Sequence, residues 1–369
     1  MKLASFNVEN LFSRPRVFHR GDWQKGRPVL EAYGRVSTLL EAPAYTPAIK
    51  GRIVEGLRAL GLDKADENRF VILRQNRSKL VQRTNGTLVV RAAGRADWVG
   101  FLELQTDLAS EPCLHNTARV VSELAPDVIA VVEADNRPAL TRFGRDFVPV
   151  APGPVGGFDQ IMLIDGNDDR GIDVGIMTRS GHHVTDMRSH VNELGSGGGP
   201  LFSRDCAEYL VRTPKGGNVL VMVNHFKSKG FGKAAVSDAI RRAQADRVAQ
   251  LYTERRERYP FVAVVGDLND TPDSTPLAPL FAAGLRDVST HPTYQDDGIP
   301  GTWGRGYASN KLDYVLLSPS LFGRVRGGGV FRHGVWDPRV TPKWQVFDTV
   351  TGPNDAASDH AAVWAELNV

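Results

Sequence analysis

Short, nearly continuous apolar runs recur along the chain, each about the length of a β-strand. Runs without polar alternation are typical of strands that are buried on both faces. Helical spacing of apolar residues lies between them, at residues 118–124 before Pro126 and at residues 234–258 before Pro260. This alternation predicts an α/β fold with covered sheets. The predicted strands are residues 3–6, 128–132, 174–177, 219–223, 261–265, 314–317 and 361–365.

The pattern changes between about residues 13 and 111. Helical spacing at residues 33–40 and 53–60 is followed by predicted strands at 70–73 and 88–90, with Asn85-Gly86 as a turn signal. The composition of this segment shows no linker rich in Gly, Ser or Pro. We therefore expect a single catalytic domain over residues 1–369, with an insertion or lid at about residues 13–111.

Composition limits the function classes without choosing among them. The 45 Lys and Arg residues against 42 Asp and Glu residues leave a net charge of +3, which is too small to establish a polyanionic partner. The two cysteines are far apart, and the apolar runs are too short to span a membrane. The N-terminal residues lack the apolar region of a signal peptide. We expect a soluble, cytoplasmic protein without membrane association, and the sequence indicates no protein partner.

The arginines of the second predicted helix are numerous enough to suggest a charged surface. At this level of analysis they are interpreted as a solvated helix face. They are Arg241, Arg242, Arg247, Arg255, Arg256 and Arg258.

Polar residues stand at or just beyond the ends of the predicted strands, where α/β folds build their sites. Taken singly, each has a simpler role as a turn cap, a surface charge or a satisfied histidine. Taken together, several carboxylates that converge need a cation. Oxygen ligands without thiolates favour Mg²⁺ or Mn²⁺ over Zn²⁺. The residues are Asn7, Glu9, Glu133, Asn224, His225, Asp267, Asn269, Asp313, Asp359 and His360.

Five motifs occur in an order that resembles the endonuclease/exonuclease/phosphatase superfamily, which is DNase I-like. The resemblance covers both ends of the chain and most of residues 117–369, and it is closest to bacterial nuclease-like members. It implies a four-layer α/β sandwich in which two packed mixed β-sheets are flanked by helices. The motifs are Ser5 to Leu11, Glu133 after its strand, Gly266-Asp267-Leu268-Asn269, Leu312-Asp313-Tyr314 and Ser358-Asp359-His360.

The resemblance also implies which residues serve the metal. Glu133 is expected to bind the divalent cation directly. Asn7 is expected in the metal and phosphate network, and Glu9 to assist through water. Asp359 is expected near the metal.

The remaining motif residues are expected to act on the phosphate. By resemblance, Asp267 orients or deprotonates the attacking water and Asn269 donates a hydrogen bond to a phosphate oxygen. His360 contacts the scissile phosphate and is held in one tautomer by Asp313. His225 resembles a second histidine that serves as an acid or oxyanion stabiliser, which argues mildly against the AP-endonuclease branch.

Five further residues are candidate substrate contacts, each with a structural alternative. Asp173 lies where family members place site-lining residues. Lys227 and Lys229 are candidates for flanking phosphates or ordinary surface lysines. Arg204 is a candidate phosphate ligand or one half of a structural ion pair. Trp303 is a candidate for stacking on a base, or a core tryptophan.

The sequence therefore predicts a phosphodiester hydrolase that depends on Mg²⁺ or Mn²⁺ and cleaves DNA or RNA by in-line attack of an activated water. The alternative is a phosphatase or phosphodiesterase for a small phosphorylated molecule or a lipid head group, because the core residues are shared. A catalytically inactive binding module is the alternative of another class.

Overall fold

The computed structural model describes residues 1–19, 23–108, 111–230, 232–339 and 343–369. Its helices are α1 Trp23–Leu40, α2 Pro47–Ala59, α3 Pro112–Leu124, α4 Arg137–Arg142, α5 Ala234–Arg256, α6 Ala278–Ala282 and α7 Pro319–Phe322. Its strands are β1 Lys2–Leu11, β2 Ser13–Pro15, β3 Val71–Arg77, β4 Val81–Thr84, β5 Thr87–Val90, β6 Val99–Leu104, β7 Thr106–Leu108, β8 Val128–Ala134, β9 Gln160–Ile164, β10 Asp173–Thr178, β11 His183–Arg188, β12 Cys206–Arg212, β13 Asn218–His225, β14 Val262–Asp267, β15 Arg286–Asp287, β16 Tyr294–Gln295, β17 Asp313–Leu317, β18 Val325–Phe331 and β19 Ala362–Leu367.

The chain divides into two compact units, Met1–Phe12 with Glu111–Val369, and Ser13–Ser110. In the larger unit, seven strands form one sheet in the order β16-β18-β19-β1-β8-β10-β9. Six strands form a second sheet in the order β11-β12-β13-β14-β17-β15. Both sheets are mixed, because β1 runs parallel to β8 and β13 runs parallel to β14, whereas their other long neighbours are antiparallel.

The two sheets pack face to face over one apolar core. Alternate residues of β8 and β10, such as Val132 and Ile176, meet inward-facing residues of β13 and β14, such as Val221 and Val265. The residues between them point outward. On one outer face α5 packs through Val248 and Tyr252. On the other outer face α4 lies against β10, where a Cβ on Gly175 would come within 2.9 Å of the Leu140 side chain. The expected four-layer α/β sandwich is confirmed.

Each predicted strand is present, and the structure adds several that the apolar runs did not indicate. β11 is almost wholly exposed, and β18 begins with Val-Arg-Gly-Gly-Gly, so neither reads as an apolar run. Asn7 and Glu9, expected beyond the end of the first strand, lie inside β1, where the pairing with β8 shifts register between Asn7 and Leu11.

The expectation of a solvated arginine face on α5 is wrong for one residue. The Arg241 side chain is only 1% exposed and pairs with Asp238 and Asp270. Asp270 comes from the loop after β14, a partner that helical spacing does not reveal.

The unit Ser13–Ser110 has a hydrophobic core of its own. Val36 of α1 and Leu57 of α2 are fully buried with Val71 and Leu73 of β3. The predicted turn is confirmed, because Asn85 and Gly86 join β4 to β5 with φ angles of 51° and 78°, the left-handed pair of a two-residue hairpin. The assignment of this segment as a lid stays a prediction. Across the described residues, every helix is too short or too polar to cross a membrane.

Candidate active site

Neighbouring strands of the six-stranded sheet place three of the predicted residues side by side. β13 and β14 run parallel with His225 opposite Asp267, and β17 places Asp313 opposite the other side of Asp267. The approach of β13 to β14 requires a glycine, since a Cβ on Gly266 would lie 1.9 Å from the carbonyl oxygen of Asn224. Sheet pairing alone therefore brings a histidine and two carboxylates together at the strand ends.

Three site residues have left-handed backbone conformations. They are Glu9, Glu133 and Asn269, with φ angles of 50°, 68° and 54°, out of seven such non-glycine residues in the described chain. Each such conformation costs on the order of 1 kcal/mol or more and persists only where the surroundings enforce it. These three residues lie in or just after the strands β1, β8 and β14.

Asp267 lies at the centre of a hydrogen-bond network. Its Oδ1 accepts from the backbone N–H of Asn269 at 2.9 Å, and its Oδ2 accepts from Nδ2 of Asn7 at 3.2 Å. The Asn269 amide donates to the carbonyl oxygen of Phe226. Burial, and next the charge of Asp313, raise the pKa of Asp267 to about 7. A buried carboxylate in this range can exchange a proton with water near neutral pH.

His360 is held by Asp313, as the sequence predicts. Nδ1 of His360 lies 2.8 Å from Oδ2 of Asp313, and the same oxygen accepts from Oγ1 of Thr302 at 2.6 Å. Burial opposes protonation of the ring, but Asp313 and then Asp267 outweigh it and raise the pKa of His360 to about 10. His360 is therefore an imidazolium at neutral pH, with Nε2 directed towards Asp267 at 3.9 Å.

His225 differs from His360 in charge. Its Nε2 lies 3.7 Å from both Glu133 Oε1 and Asp267 Oδ2, and the ring is almost fully buried. Burial, and next the positive charges of Arg204 and His360, hold the pKa of His225 well below its usual value. A neutral His225 and a charged His360 thus lie on the two sides of Asp267.

Glu9, Glu133 and Asp359 supply three carboxylates, two of which face histidines: Glu133 Oε1 lies 3.7 Å from His225 Nε2, and Asp359 Oδ1 lies 3.7 Å from His360 Nε2. Glu9 Oε2 accepts from the backbone N–H of Asp359 at 2.7 Å, and Asp359 Oδ2 accepts from the Trp303 indole at the same distance. In the part of the chain that the structure describes, no Lys or Arg forms an ion pair with any of the three. Burial, and next the charge of Asp359, raise the pKa of Glu9 to about 7, with Glu133 contributing. Hard oxygen donors that repel one another fit a divalent cation.

A second group of residues also has potential metal-ligand atoms close together, but these atoms are hydrogen-bonded to one another. Among the described residues, Asp267, Asp313 and His360 have such atoms within 4.8 Å of one another. Nδ1 of His360 and Oδ2 of Asp313 already satisfy each other, so we interpret this group as a hydrogen-bonded chain that orients His360. The expected binding of a cation by Glu133, with Glu9 and Asp359 nearby, stays a prediction.

The five candidate substrate contacts differ in exposure and in the partners they already have. Arg204 is almost fully buried and lies 3.0 Å from Asp168, and its Nη1 lies 3.4 Å from the Phe226 carbonyl oxygen that Asn269 also uses. Lys227 follows β13 two residues after His225. Trp303 is 40% exposed, so the alternative of a core tryptophan is wrong.

Asp173 and Lys229 are engaged elsewhere. The Asp173 side chain is buried and accepts from the backbone N–H of Gly166, and burial followed by the charge of Asp165 raises its pKa to about 7. Nζ of Lys229 pairs with Asp270 at 2.5 Å. A contact of either residue with substrate stays a prediction.

Two residues of the site carried no sequence signal that singled them out. Thr302 accepts from the backbone N–H of Asp313 while donating to its carboxylate, both at the single Oγ1 atom. Arg170 stands three residues before Asp173, and its partner Asp168 also pairs with Arg204. Only their partners in the folded chain, Asp313 for Thr302 and Asp168 for Arg170, distinguish them from ordinary loop residues.

Comparison with known proteins gives one family match and several structural ones. The model of the Endonuclease/Exonuclease/phosphatase family matches residues 100–360. No curated protein sequence matches this chain significantly.

Solved structures with similar folds have low sequence identity. An endonuclease/exonuclease/phosphatase family protein from Bacteroides thetaiotaomicron is 16% identical with a TM-score of 0.49, over 69% of this chain and 88% of that one. The mannosyl-6-phosphatase Bt3783 of B. thetaiotaomicron VPI-5482 is 13% identical with a TM-score of 0.49, over 100% of both chains. Truncated Caenorhabditis elegans TDP2 is 16% identical with a TM-score of 0.46, over 70% of this chain and 90% of that one.

Proposed function

The chain belongs to the endonuclease/exonuclease/phosphatase family of phosphoester hydrolases, and from this premise we propose that it is a divalent-metal-dependent phosphodiesterase that cleaves nucleic acid. The observation that carries the proposal is the set of groups around Asp267. A carboxylate with a pKa near neutrality lies between a charged histidine and a neutral one, and the same two histidines face the carboxylates of Asp359 and Glu133.

Asp267 is the proposed base for the attacking water. Its position is fixed from two sides by Asn7 and by the backbone N–H of Asn269, so the carboxylate cannot rotate freely. A fixed base aligned with the scissile bond is worth several orders of magnitude in rate through orientation alone. Its raised pKa brings proton transfer from water closer to balance.

His360 and His225 are the proposed donors to the phosphate oxygens. His360 carries its charge at neutral pH because Asp313 stabilises the imidazolium, and its free Nε2–H can stabilise negative charge that develops on phosphate. His225 is neutral, so its ring can donate a hydrogen bond without adding charge beside Glu133. Asn269, close to both Asp267 and Arg204, is a third donor to a nonbridging oxygen.

Glu9, Glu133, Asp359 and Asn7 are the residues that would hold a divalent cation, Mg²⁺ or Mn²⁺. When bound, the cation would supply Lewis-acid stabilisation of the phosphate. Within this set, the bond from the Asp359 N–H to Glu9 and the bond from the Trp303 indole to Asp359 hold these two carboxylates in place.

Nucleic acid is preferred as substrate because basic residues border the site. Arg204 and Lys227 lie next to His225 in space or in sequence, and Arg204 acts electrostatically on Asp267 and Glu133. A small phosphoester is the competing substrate class, and a hydrolysis assay with both kinds of substrate separates the two.

The test is hydrolysis by the purified chain, with Mg²⁺, Mn²⁺ or EDTA, of plasmid DNA, single-stranded DNA, RNA and bis(p-nitrophenyl) phosphate. We expect cleavage of at least one nucleic acid, with loss in EDTA. Asp267→Ala and His360→Ala should each lower kcat by about 10²-fold or more, while circular dichroism shows the parent fold. Cleavage of small esters with every nucleic acid intact contradicts the nuclease proposal, and wild-type turnover by either variant contradicts the assigned roles.

A further inference from the structure

Two polar side chains of α5 are buried next to the segments that follow β13 and β14. The pairing of these two strands ends at His225 and Asp267, so the ladder of the sheet does not hold the residues beyond them. Arg241 and Gln244 contact both segments and are only 1% and 0% exposed. Buried polar groups of this size need specific hydrogen-bond partners, and their partners indicate what these two residues do.

The backbone of Lys227, two residues after His225, is bound at both of its polar groups. Its N–H donates to Oε1 of Gln244 at 2.9 Å, and its carbonyl oxygen accepts from Nη1 of Arg241 at 2.9 Å. Because Arg241 and Gln244 are three residues apart on the helix, they lie on the same face of α5. Nε2 of Gln244 donates to the carbonyl oxygen of Leu201 at 3.1 Å, which fixes the orientation of its amide. The segment after β13 is therefore anchored to α5 at a single residue.

The same guanidinium also holds the segment after β14. Nε of Arg241 donates to Oδ2 of Asp270 at 3.0 Å, and the backbone carbonyl oxygen of Asp270 accepts from the hydroxyl of Tyr314 at 2.6 Å. Asp270 directly follows Asn269, whose left-handed φ of 54° persists only where the surroundings enforce it. Bonds to both the side chain and the backbone of the next residue supply that constraint.

Phe226 joins the two segments to each other. Its backbone N–H donates to the carbonyl oxygen of Asp267 at 2.9 Å, and its own carbonyl oxygen accepts from Nδ2 of Asn269 at 3.2 Å. Asn269 in turn donates its backbone N–H to the Asp267 carboxylate at 2.9 Å. A shift at Lys227 would therefore move an acceptor of Asn269, and a shift at Asp270 would move Asn269 itself. One buried guanidinium thus constrains the proposed base and a proposed phosphate donor from two directions.

Stability alone does not account for a charged side chain at this position. A buried ion pair is often no more stabilising than well-packed apolar side chains of similar volume. All three nitrogens of Arg241 are used, because Nη2 donates to Asp238 in addition to the two bonds described above. The planar guanidinium fixes the directions of these bonds. An apolar side chain could fill the same space, but it could not bind a backbone carbonyl or a carboxylate.

We propose that Arg241 and Gln244 are positioning residues for phosphoester cleavage, which hold the segments after β13 and β14 so that Asp267 and Asn269 keep the geometry needed for attack on the phosphate. Both residues act through the groups that they bind and do not contact the substrate. The inference rests on the proposed function for the roles of Asp267 and Asn269, but it is the same for nucleic acid and for a small phosphoester.

The first test examines the two segments without any substrate. Hydrogen–deuterium exchange of the full chain is compared between the parent and Arg241→Lys, which keeps the charge but loses the fork of donors. We expect exchange in residues 226–229 and 268–271 to become about tenfold faster, as for the loss of one charge-assisted hydrogen bond, while β13 and β14 keep their parental rates. Unchanged exchange in both segments would overturn the inference, whether or not the chain cleaves phosphoesters. Equal acceleration throughout the larger unit would also overturn it, because it would show a general loss of stability.

The second test measures turnover of bis(p-nitrophenyl) phosphate with Mn²⁺. Arg241→Lys and Gln244→Met should each lower kcat about 10- to 100-fold, as expected for a displaced catalytic group, and leave KM within about twofold. Parental kcat in both variants would overturn the inference. A parent chain that cleaves neither this ester nor any nucleic acid would contradict the proposed function, and the exchange measurement would still decide whether α5 holds the two segments.

A double variant separates positioning from stability. Arg241→Met combined with Asp270→Leu replaces the buried ion pair by apolar side chains, a change that is often neutral or stabilising for the fold. We expect this protein to unfold in urea at a concentration close to that of the parent, but to keep a low kcat, because no side chain then binds the carbonyl oxygen of Lys227. If kcat returns to the parental value, Arg241 serves stability alone and the proposal is wrong.

The neighbouring arginine provides a matched control. Arg242 is 44% exposed and bonds to Asp246 and to the carbonyl oxygen of Thr275, away from the two segments. Arg242→Lys makes the same substitution one residue further along α5 and should leave both the exchange rates and kcat unchanged. A loss equal to that of Arg241→Lys would show a general effect of replacing arginine on this helix and would contradict the proposed role.

Discussion

At the scale of single residues, Asp313 determines the charge of His360, the proposed donor to the phosphate. Asp313 is fully buried and receives hydrogen bonds from Thr302 and from His360 on the same oxygen. The sequence supplied both residues, because each lies beside a recognisable motif. It could not supply Thr302, since a threonine eleven residues upstream has no spacing that marks it as a partner of a strand-end aspartate.

Replacing Asp313 by Asn keeps the shape of the side chain and removes its charge. The pKa of His360, raised to about 10 with Asp313 as the main raising cause, should then fall towards its ordinary value. His360 needs its proton to act, so the alkaline limb of the pH–rate profile should move to lower pH. We expect kcat to fall about 10²-fold or more, with a larger loss at pH 8.5 than at pH 6.

The pH–rate profiles of the parent and Asp313→Asn proteins provide the measurement. Asp348→Asn is the control, because that side chain is 84% exposed and pairs only with Arg119 among the described residues. An alkaline limb that stays in place in the Asp313 variant would show that Asp313 does not set the charge of His360.

At the scale of elements, buried strands were predictable and exposed or glycine-rich ones were not. β14 could be found because its apolar run is fully buried on both faces. β11 could not, because its charged residues face solvent and only its pairing with β12 makes it a strand. The burial of Arg241 could not be predicted either, because its buried partner Asp270 comes from a loop 29 residues further along the chain.

A network of buried and half-buried ion pairs joins β12, α5 and the loop after β11. His190 contacts carboxylate oxygens of Glu193 and Glu208 with its two ring nitrogens, at 2.6 and 2.7 Å. Arg247 pairs with Glu193, and Arg255 pairs with Glu208. Burial opposes protonation of His190, but the bonds to Glu208 and Glu193 outweigh it and raise its pKa above the ordinary 6.5. The pKa values of both glutamates are lowered from 4.5 despite burial, Glu193 mainly by Arg247 and Glu208 mainly by His190.

These shifts define a pH window for stability. The raised pKa of His190 means that its protonation stabilises the fold. This stabilisation is fully present below about pH 6.5 and is lost as the pH rises through the pKa of the folded state. The lowered pKa values of Glu193 and Glu208 mean that their charged forms stabilise the fold. This stabilisation is present above about pH 4.5 and is lost as the pH falls through the pKa values of the folded state. We expect His190→Gln to lower the free energy of unfolding by about 1–3 kcal/mol at pH 5.5, and by less at pH 8.5.

Urea unfolding of the parent and His190→Gln proteins at both pH values gives the comparison. His183→Gln, at an exposed position of β11, should change little at either pH. A loss of stability in His190→Gln that is the same at pH 5.5 and pH 8.5 would mean that His190 is not charged in the network.

At the scale of the whole molecule, the architecture of the larger unit followed from the order of its motifs. The sequence predicted an insertion at about residues 13–111, and the smaller unit spans Ser13–Ser110, but the sequence did not predict that this segment has a hydrophobic core of its own. The boundary between Phe12 and Ser13 falls inside a run of ordinary composition, directly after β1. Where the chain passes from one hydrophobic core to another without a flexible linker, the composition of the sequence does not show the boundary. The site, in contrast, gathers residues from both ends of the larger unit, since Asn7 accepts at its backbone carbonyl from the hydroxyl of Ser358.

Because the proposed cation ligands come from β1, β8 and the segment before β19, a bound cation should stabilise the larger unit as a whole. A ligand that binds only the folded state at one hundred times its Kd adds about 2.7 kcal/mol to the free energy of unfolding. We therefore expect Mn²⁺ or Mg²⁺ to raise the midpoint of thermal unfolding by several degrees, an effect on the order of 2–4 °C per kcal/mol for domains of 150–250 residues. Glu133→Gln should abolish most of the rise.

The measurement is a thermal melt of the parent and Glu133→Gln proteins across a Mn²⁺ titration, with EDTA as the reference. Glu257→Gln, at the residue that follows α5, removes the same charge outside the site and should keep the full rise. If Glu133→Gln responds to Mn²⁺ as strongly as the parent, the cation binds elsewhere, and the carboxylates of Glu9, Glu133 and Asp359 do not hold it. If only the parent and Glu257→Gln respond, the ion needs the Glu133 carboxylate, which is what the repulsion among these carboxylates predicts.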